Sequence, residues 1–365
     1  MKDKLESDVL TPHLIHQFDS ERELLNIISK LSHAFNQRTD SVNDYSHDPA
    51  LVSAYAMFYL PTNMPKLEFI LEKLPVEVYN SILESEFIDF GSGPGTFSLA
   101  FKNLVGTSQK SVISLIDKSE SMLLQALKII TSIYPRGEYP QGEYPQGELP
   151  EGNFKYYNSY KQIRESKNST LCLGHVFNEM EKRDLIKVIE HFDPQNIIFI
   201  GPGTKEVFHK LSEFRKSFLS DHYDVAFPCP SKSFDCPMEG DEKNWCHQIL
   251  HTTHSQGTER LSQLVKLDRR KMPMTAQMFT KTNFEPEETS RIVRKKAVTK
   301  FSFDFEICRM CDGVPLLQDL EVPKRGMGKL DQKAYQKIDS GNGGELTVLK
   351  VLSDSKLRGN FNNLR

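Results

Sequence analysis

The chain has 365 residues, 38% of them hydrophobic and 26% charged, and a formal net charge of -3. That balance is ordinary for a globular chain with one large core or two smaller ones, and it excludes the disordered and fibrous classes. It supplies no overall attraction for nucleic acid or acidic membranes, so binding of that kind has to come from a local basic patch.

The opening MKDKLESDVL alternates acids with bases and has neither an apolar signal core nor a transit-peptide bias. No apolar run reaches the length a bilayer requires, so no membrane partner is expected and the expected location is cytoplasmic. In that compartment clustered cysteines read as metal ligands or redox groups sooner than as disulfides. The first 80 or so residues read as helical. SERELLNIISKLSHAF sets apolar residues at helical spacing behind Ser20, and DPALVSAYAMFYLPTNMPKLEFILEKL gives two more helical runs broken apart by Pro61 and Pro65.

From Glu86 the texture changes to short apolar runs, glycine and amphipathic segments. Strands are expected at FIDFG, VISLID, STLCLGHVF and NIIFIG, with helices after the first, second and fourth, which favours an α/β fold with a parallel, doubly wound sheet. Four tandem five-residue units from Ile133 to Gly152 carry Pro and Gly in each unit and read as a surface loop, either a neutral expansion or a partner-binding segment. After Asp221 the sheet pattern gives way to a thiol-rich stretch, two basic segments and a weakly periodic tail from Lys324, expected to be partly loop. The expected organisation is a helical region over 1–80, a doubly wound domain over 81–225 with its repeat loop at 133–152, a cysteine-rich basic module over 226–323, and a tail over 324–365.

FIDFGSGPGTFSLAF ends a strand at Phe90, turns through Gly91, Gly93 and Gly95, and enters a helix. Positions without side chains let the backbone turn tightly and a ligand approach, while the helix entrance offers free amides. The glycines fall as G-x-G-x-G behind Asp89, not as the dinucleotide fingerprint G-x-G-x-x-G. That spacing resembles the first motif of S-adenosylmethionine-dependent methyltransferases, in whose pattern the acid and the glycines lie near the methionyl and adenosyl parts. SLIDKSESML adds Asp117 at a strand end, where a carboxylate can accept hydrogen bonds from ribose hydroxyls. Another nucleotide, or a structural relic, would use the same turn. The stretch after the third expected strand reads GHVFNEM and lacks the Asn- or Asp-Pro-Pro platform that grips a target amine, although Asn178 and Glu179 can accept hydrogen bonds. Cys172 falls inside a strand and reads as a buried, inert thiol. Methyl transfer can need only proximity and orientation, so no catalytic residue is assigned.

Cys229, Cys236 and Cys246 stand in FPCPSKSFDCPMEGDEKNWCH, with Pro beside the first two. Three thiolates do not complete a zinc or iron-sulfur site, which usually takes four protein ligands. Cys308 and Cys311 in FEICRMCDG are candidates for the fourth, with His247 and His251 as alternatives. Spacing alone does not separate zinc, an iron-sulfur cluster and buried free thiols.

Several motifs then converge: YAMFYLPTNMPK, DFGSGPGT, HVFNEM, IGPGT, PCPSKSFDCP, NWCH, LDRRK and FEICRMCDG. Together, over about residues 40–315, they resemble the methyltransferase-like small-ribosomal-subunit family, bacterial and mitochondrial, whose members act in small-subunit assembly and translation. The resemblance implies a Rossmann-like S-adenosylmethionine-dependent methyltransferase fold with a helical N-terminal part and a cysteine-rich metal-binding C-terminal module. It also implies a [4Fe-4S] cluster, with zinc as the alternative, and contact with the small ribosomal subunit and its rRNA. Carried over by position, the ligands are Cys229, Cys236, Cys246 and Cys308, and the S-adenosylmethionine pocket uses Asp89, Gly91, Gly93, Gly95, Asp117 and Asn178. The chain departs from the family pattern at Gly201, where Glu is common, and at Ser231, where His usually follows the first Cys-Pro. An assembly or translation factor that is monomeric off the ribosome is the leading expectation, and an active methyltransferase of rRNA or protein with a structural zinc module is the alternative. Residues 266–300 hold ten Lys or Arg against four Asp or Glu. Such a segment reads as a solvated face or, with the resemblance, as a phosphate-binding surface.

Overall fold

A computed structural model describes residues 10–37, 45–106, 111–134, 154–164, 166–240, 245–286, 290–338 and 348–349. The N-terminal part is helical, as its periodicity implies. Helix α1 (Glu21–Gln37) starts at Ser20, whose Oγ accepts the Glu23 amide at 3.3 Å, while the Glu23 carboxylate reaches back to the Asp19 amide at 2.8 Å. The break expected at Pro61 and Pro65 does not occur. Helix α2 runs unbroken over Pro49–Leu71, with Asp48 capping the Ala50 and Leu51 amides. An internal proline costs roughly 3 kcal/mol in an isolated helix, but fifteen of the 23 residues of α2 are buried. Burying one large apolar side chain returns about 1.5–3 kcal/mol, so packing overrides local propensity.

Helix α3 (Val76–Leu83) leads into the central sheet: β1 (Glu86–Phe90), α4 (Thr96–Val105), β2 (Ile113–Ile116), α5 (Glu120–Ile133), β3 (Phe154–Tyr157), β4 (Ser169–Gly174), α6 (Lys182–Phe192), β5 (Asn196–Pro202) and α7 (Lys205–Phe214). Strands β1 to β5 are parallel in the order β3-β2-β1-β4-β5. One apolar core lies under α1, α2, α4 and α5, and a second lies on the opposite face under α6 and α7. Two elements absent from the sequence reading belong here. Helix α6 follows β4 and buries Leu185, Val188, Ile189 and Phe192 at helical spacing, its charged outer face having masked the pattern. Strand β3, only four residues long, forms the sheet edge. The repeat, from residue 135 onward, lies outside the described residues.

The sheet also continues past Asp221. Strand β6 (Asp224–Phe227), β7 (Gln248–His251) and β8 (Lys271–Thr280) join it, β8 running antiparallel between β5 and β6 and pairing β7 through its opening half. Helix α8 (Gln256–Leu264) connects β7 to β8. A second, antiparallel sheet follows: β9 (Ser290–Val298), β10 (Ser302–Cys311), β11 (Val314–Pro323) and β12 (Val348–Leu349), in the order β11-β10-β9-β12. Helix α9 (Lys329–Lys337) covers it, with the Tyr335 ring 5.5 Å from Phe303 and 5.9 Å from Phe305. This helix falls in the tail that the sequence reading expected to be partly loop. Among the described residues no helix is long and apolar enough to cross a membrane.

Candidate functional site

The glycine loop sits at the C-terminal end of β1, where open α/β sheets bind ligands. Gly91, Gly93 and Gly95 all have positive φ, at 68°, 53° and 85°. A Cβ on Gly91 would stand 2.2 Å from Val176 Cγ2, whereas one on Gly93 would meet nothing nearer than Met122 Sδ at 4.0 Å. Gly91 is thus fixed by packing, and Gly93 faces open space. Asp117 braces the turn, its Oδ2 accepting the Gly93 amide at 2.8 Å and its Oδ1 accepting the Ser119 amide at 2.9 Å. Asp89 is fully buried, and its Oδ2 accepts the Ser98 amide at 2.8 Å and the Ser98 hydroxyl at 2.7 Å. Its Oδ1 is buried with no hydrogen-bond partner. Burial raises the Asp89 carboxyl to about 7 against the pull of the Ser98 bonds.

Asn178 stands beyond β4 with its Oδ1 buried and unpartnered. A Cβ on Gly201 would lie 3.6 Å from that oxygen and 3.1 Å from Val207 Cγ1, so a glutamate there would crowd it. Sequence reasoning missed the pair next to this turn. Lys66, in α2, is 4% exposed, and its Nζ lies 3.0 Å from Nε2 of His175, which follows β4 at φ 63°. Burial, then Arg269, lowers Lys66 to about 7, and burial, then Lys66, pushes His175 well below its ordinary value. The quoted GHVFNEM contained the histidine, but nothing in a helical repeat flags a buried lysine partner.

The thiols converge. Cys229, Cys236, Cys246 and Cys308 line one small cavity of about 20 Å³, together with Arg291 and Met238. Three come from the loops between β6 and β7, and Cys308 comes from β10, paired in register with Arg291 of β9. Cys311, three residues on, contacts Asp312 and is not part of the lining, and His247 and His251 are not part of it either. Cys172 is fully buried in β4. Burial, then the thiols of Cys246 and Cys229, pushes the Cys236 thiol up to about 12, and burial raises Cys308 as well. Two guanidinium groups lie against the sulfurs. Arg291 Nη1 donates to Cys246 Sγ and its Nη2 to the His247 carbonyl at 2.7 Å. Arg215, in the π-turn Arg215–Leu219, places Nη1 3.8 Å from Cys229 Sγ and donates to Gln277 Oε1 and the Phe234 carbonyl.

Four soft donors with buried cations beside them suit a thiolate-ligated metal centre. Among the described residues, however, no group of three or more His, Cys, Asp or Glu is gathered so as to hold a metal ion. The donors of the expected centre share one cavity without forming an ion-sized shell.

The basic segment is largely consumed within the fold. Arg270 pairs with Asp268, Lys281 with Asp193, Arg294 with Glu306 and Lys296 with Asp319, while Arg269 lies over the Phe58 and Tyr59 rings. Adding Arg291 at the thiols, six of its ten cations have a protein partner of this kind. The excess of charge read from the sequence therefore overstates the free positive surface.

The parallel order β3-β2-β1-β4-β5, the antiparallel β8 set between β5 and β6, and the glycine turn after β1 define a Rossmann-like fold of the methyltransferase class. The family model described as mitochondrial small ribosomal subunit Rsm22 matches residues 49–342, and the chain belongs to that family. No curated protein matches the chain. Among solved structures it is similar to an arsenic(III) S-adenosylmethionine methyltransferase from Chlamydomonas reinhardtii, at 11% identity and TM-score 0.33, over 70% of this chain and 87% of that one. It is also similar to NSun6 from Pyrococcus horikoshii, at 14% identity and TM-score 0.35, over 62% and 52% of the two chains. The mitomycin 7-O-methyltransferase MmcR matches at 11% identity and TM-score 0.36, over 57% and 64%. The fold class rests on the sheet order, not on these likenesses.

Proposed function

We propose that this chain is a methyltransferase-fold factor of the small ribosomal subunit that binds S-adenosylmethionine at its glycine turn and carries a four-cysteine iron-sulfur centre. The observation that carries the reading is the meeting of Cys229, Cys236, Cys246 and Cys308 at one cavity in a chain of this family. Zinc needs four donors at about 2.3 Å if they are sulfur. The thiol cavity by itself favours neither, and the cluster is preferred here on the resemblance carried by the cysteine motifs.

In this reading the nucleoside would lie by Asp117 and the open face of Gly93, and the unpartnered buried oxygens of Asp89 and Asn178 support a polar ligand near the turn. Bound there, S-adenosylmethionine would supply an activated methyl group. With the basic segment largely paired, contact with rRNA has to use surface outside those ion pairs. Anaerobic purification followed by iron, zinc and acid-labile sulfide analysis tests the centre, and sedimentation with small subunits tests the partner. One zinc without sulfide would move the reading to a methyltransferase with a structural zinc module. Sedimentation away from subunits would refute the assembly role. Fractionation of the tagged chain separates the cytoplasmic location expected from the sequence from the mitochondrial one in the family's description.

A further inference from the structure

Arg291 is 4% exposed and Arg215 is 0% exposed, so each places a permanent charge in the interior, where an uncompensated ion is costly. Among the described residues Arg215 has one carboxylate in reach, Glu239 at 3.5 Å, which it shares with Lys216. Among the described residues no carboxylate pairs with Arg291; its guanidinium donates to Cys246 Sγ and to the His247 carbonyl. A carbonyl dipole does not neutralise a cation, and neutral thiols would leave Arg291 with no anion among the described residues and Arg215 with only the carboxylate it shares with Lys216. The two arginines also reach the cysteine sulfurs from different parts of the fold, Arg215 from the turn after α7 to Cys229 and Arg291 from β9 of the second sheet to Cys246.

We infer that Arg215 and Arg291 are the built-in counter-charges of the thiolate centre, positioning residues that make the cavity accept an anionic cluster and raise its reduction potential. The inference rests on the cluster reading above. Four thiolates on a [4Fe-4S] core of charge +2 leave a net charge of -2, which two guanidinium groups cancel. Hydrogen bonds and net charge at the sulfurs are among the factors that set cluster potentials. Adding an electron to a neutral assembly is easier than adding one to a dianion, so loss of either arginine makes the centre harder to reduce. Arg291 has the larger effect, because Arg215 already shares its field with Glu239.

The test uses the full chain purified without oxygen as wild type, R291M, R291K and R215M, read by iron and sulfide content and by a redox titration followed spectroscopically. The wild type is expected to hold the cluster. R291M is expected either to lose at least tenfold in cluster content or to retain it with a midpoint lowered by at least about 59 mV, a tenfold change in a one-electron equilibrium. R291K, which keeps the charge and loses the fork, is expected to retain the cluster with a smaller shift; it decides the matter if R291M does not fold. Wild-type content and midpoint in both R291M and R215M would overturn the inference and leave the cluster reading standing. Loss of the cluster from a folded R291K would overturn it too, because geometry and not charge would then be what the site needs. A wild type without iron and sulfide would overturn the cluster reading and this inference with it.

Discussion

Gly91 and Gly93 are two residues apart in one turn, yet the structure gives them opposite reasons for being glycine. Alanine at Gly91 meets the left-handed backbone cost of roughly 1–2 kcal/mol, and its methyl group overlaps Val176 Cγ2, 2.2 Å from the added carbon. Overpacking adds about 1–3 kcal/mol, so G91A should lose on the order of 2–5 kcal/mol of stability. G93A faces the same backbone cost, at φ 53°, but the nearest atom is 4.0 Å away. It should lose only roughly 1–2 kcal/mol. Its methyl group would instead stand on the face of the turn proposed above to receive S-adenosylmethionine. Urea unfolding reads the first quantity, and calorimetric titration with S-adenosylmethionine reads the second. G93A should unfold at a denaturant concentration closer to the wild type than G91A does, while binding at least tenfold more weakly. The reasoning is wrong if G93A binds like the wild type, or if the two variants are equally destabilised.

Other outcomes follow from the same geometry. The Asp89 carboxyl is raised from 3.8 to about 7, so the folded state binds its proton more tightly than the unfolded state does. Its contribution is complete below about pH 4 and is lost as pH rises through 7, by about 4 kcal/mol for a shift of roughly three units. D89N should flatten that slope in urea melts taken from pH 4 to 8, and an unchanged slope would show that Asp89 is not the titrating group. C308S should abolish cluster content in anaerobic preparations while C311S leaves it intact, and equal loss from both would contradict the lining of the cavity. P61A should stabilise the fold by about 1–3 kcal/mol by restoring an amide to α2, read as a higher urea midpoint; a lower midpoint would mean that the proline ring itself packs favourably.

The legible parts of this fold were those written in local pattern. β1, β2, β4 and β5 are largely runs of buried apolar residues, and the three glycines after β1 mark a turn whose positive φ angles call for them. What escaped was decided at longer range. The length of α2 depends on burial, which cancels two prolines that local rules treat as breaks. β8 joins the central sheet by pairing with strands about twenty to eighty residues earlier in the chain, and no periodicity announces such a partner. The cysteines were visible as residues, but the separation of Cys308 from Cys311 is a matter of which strand position meets the cavity. Charge counting misled most: ten cations in residues 266–300 look like a surface until their partners, Asp193 and Asp319 among them, are found elsewhere in the chain.

The position of β8 also bears on how the chain is made. Among the described residues β8 is the only link in the central sheet between β5 and β6, and β7 pairs with nothing else in it. While the polypeptide emerges from its amino end, the edge of β5 therefore stays open for some seventy residues, and β6 waits without a neighbour until Lys271–Thr280 arrives. Cys308 arrives later still. Closure of the sheet and assembly of the thiol cavity are thus both late events in synthesis, and a chain released before β10 would carry three of the four sulfurs with no means of enclosing them.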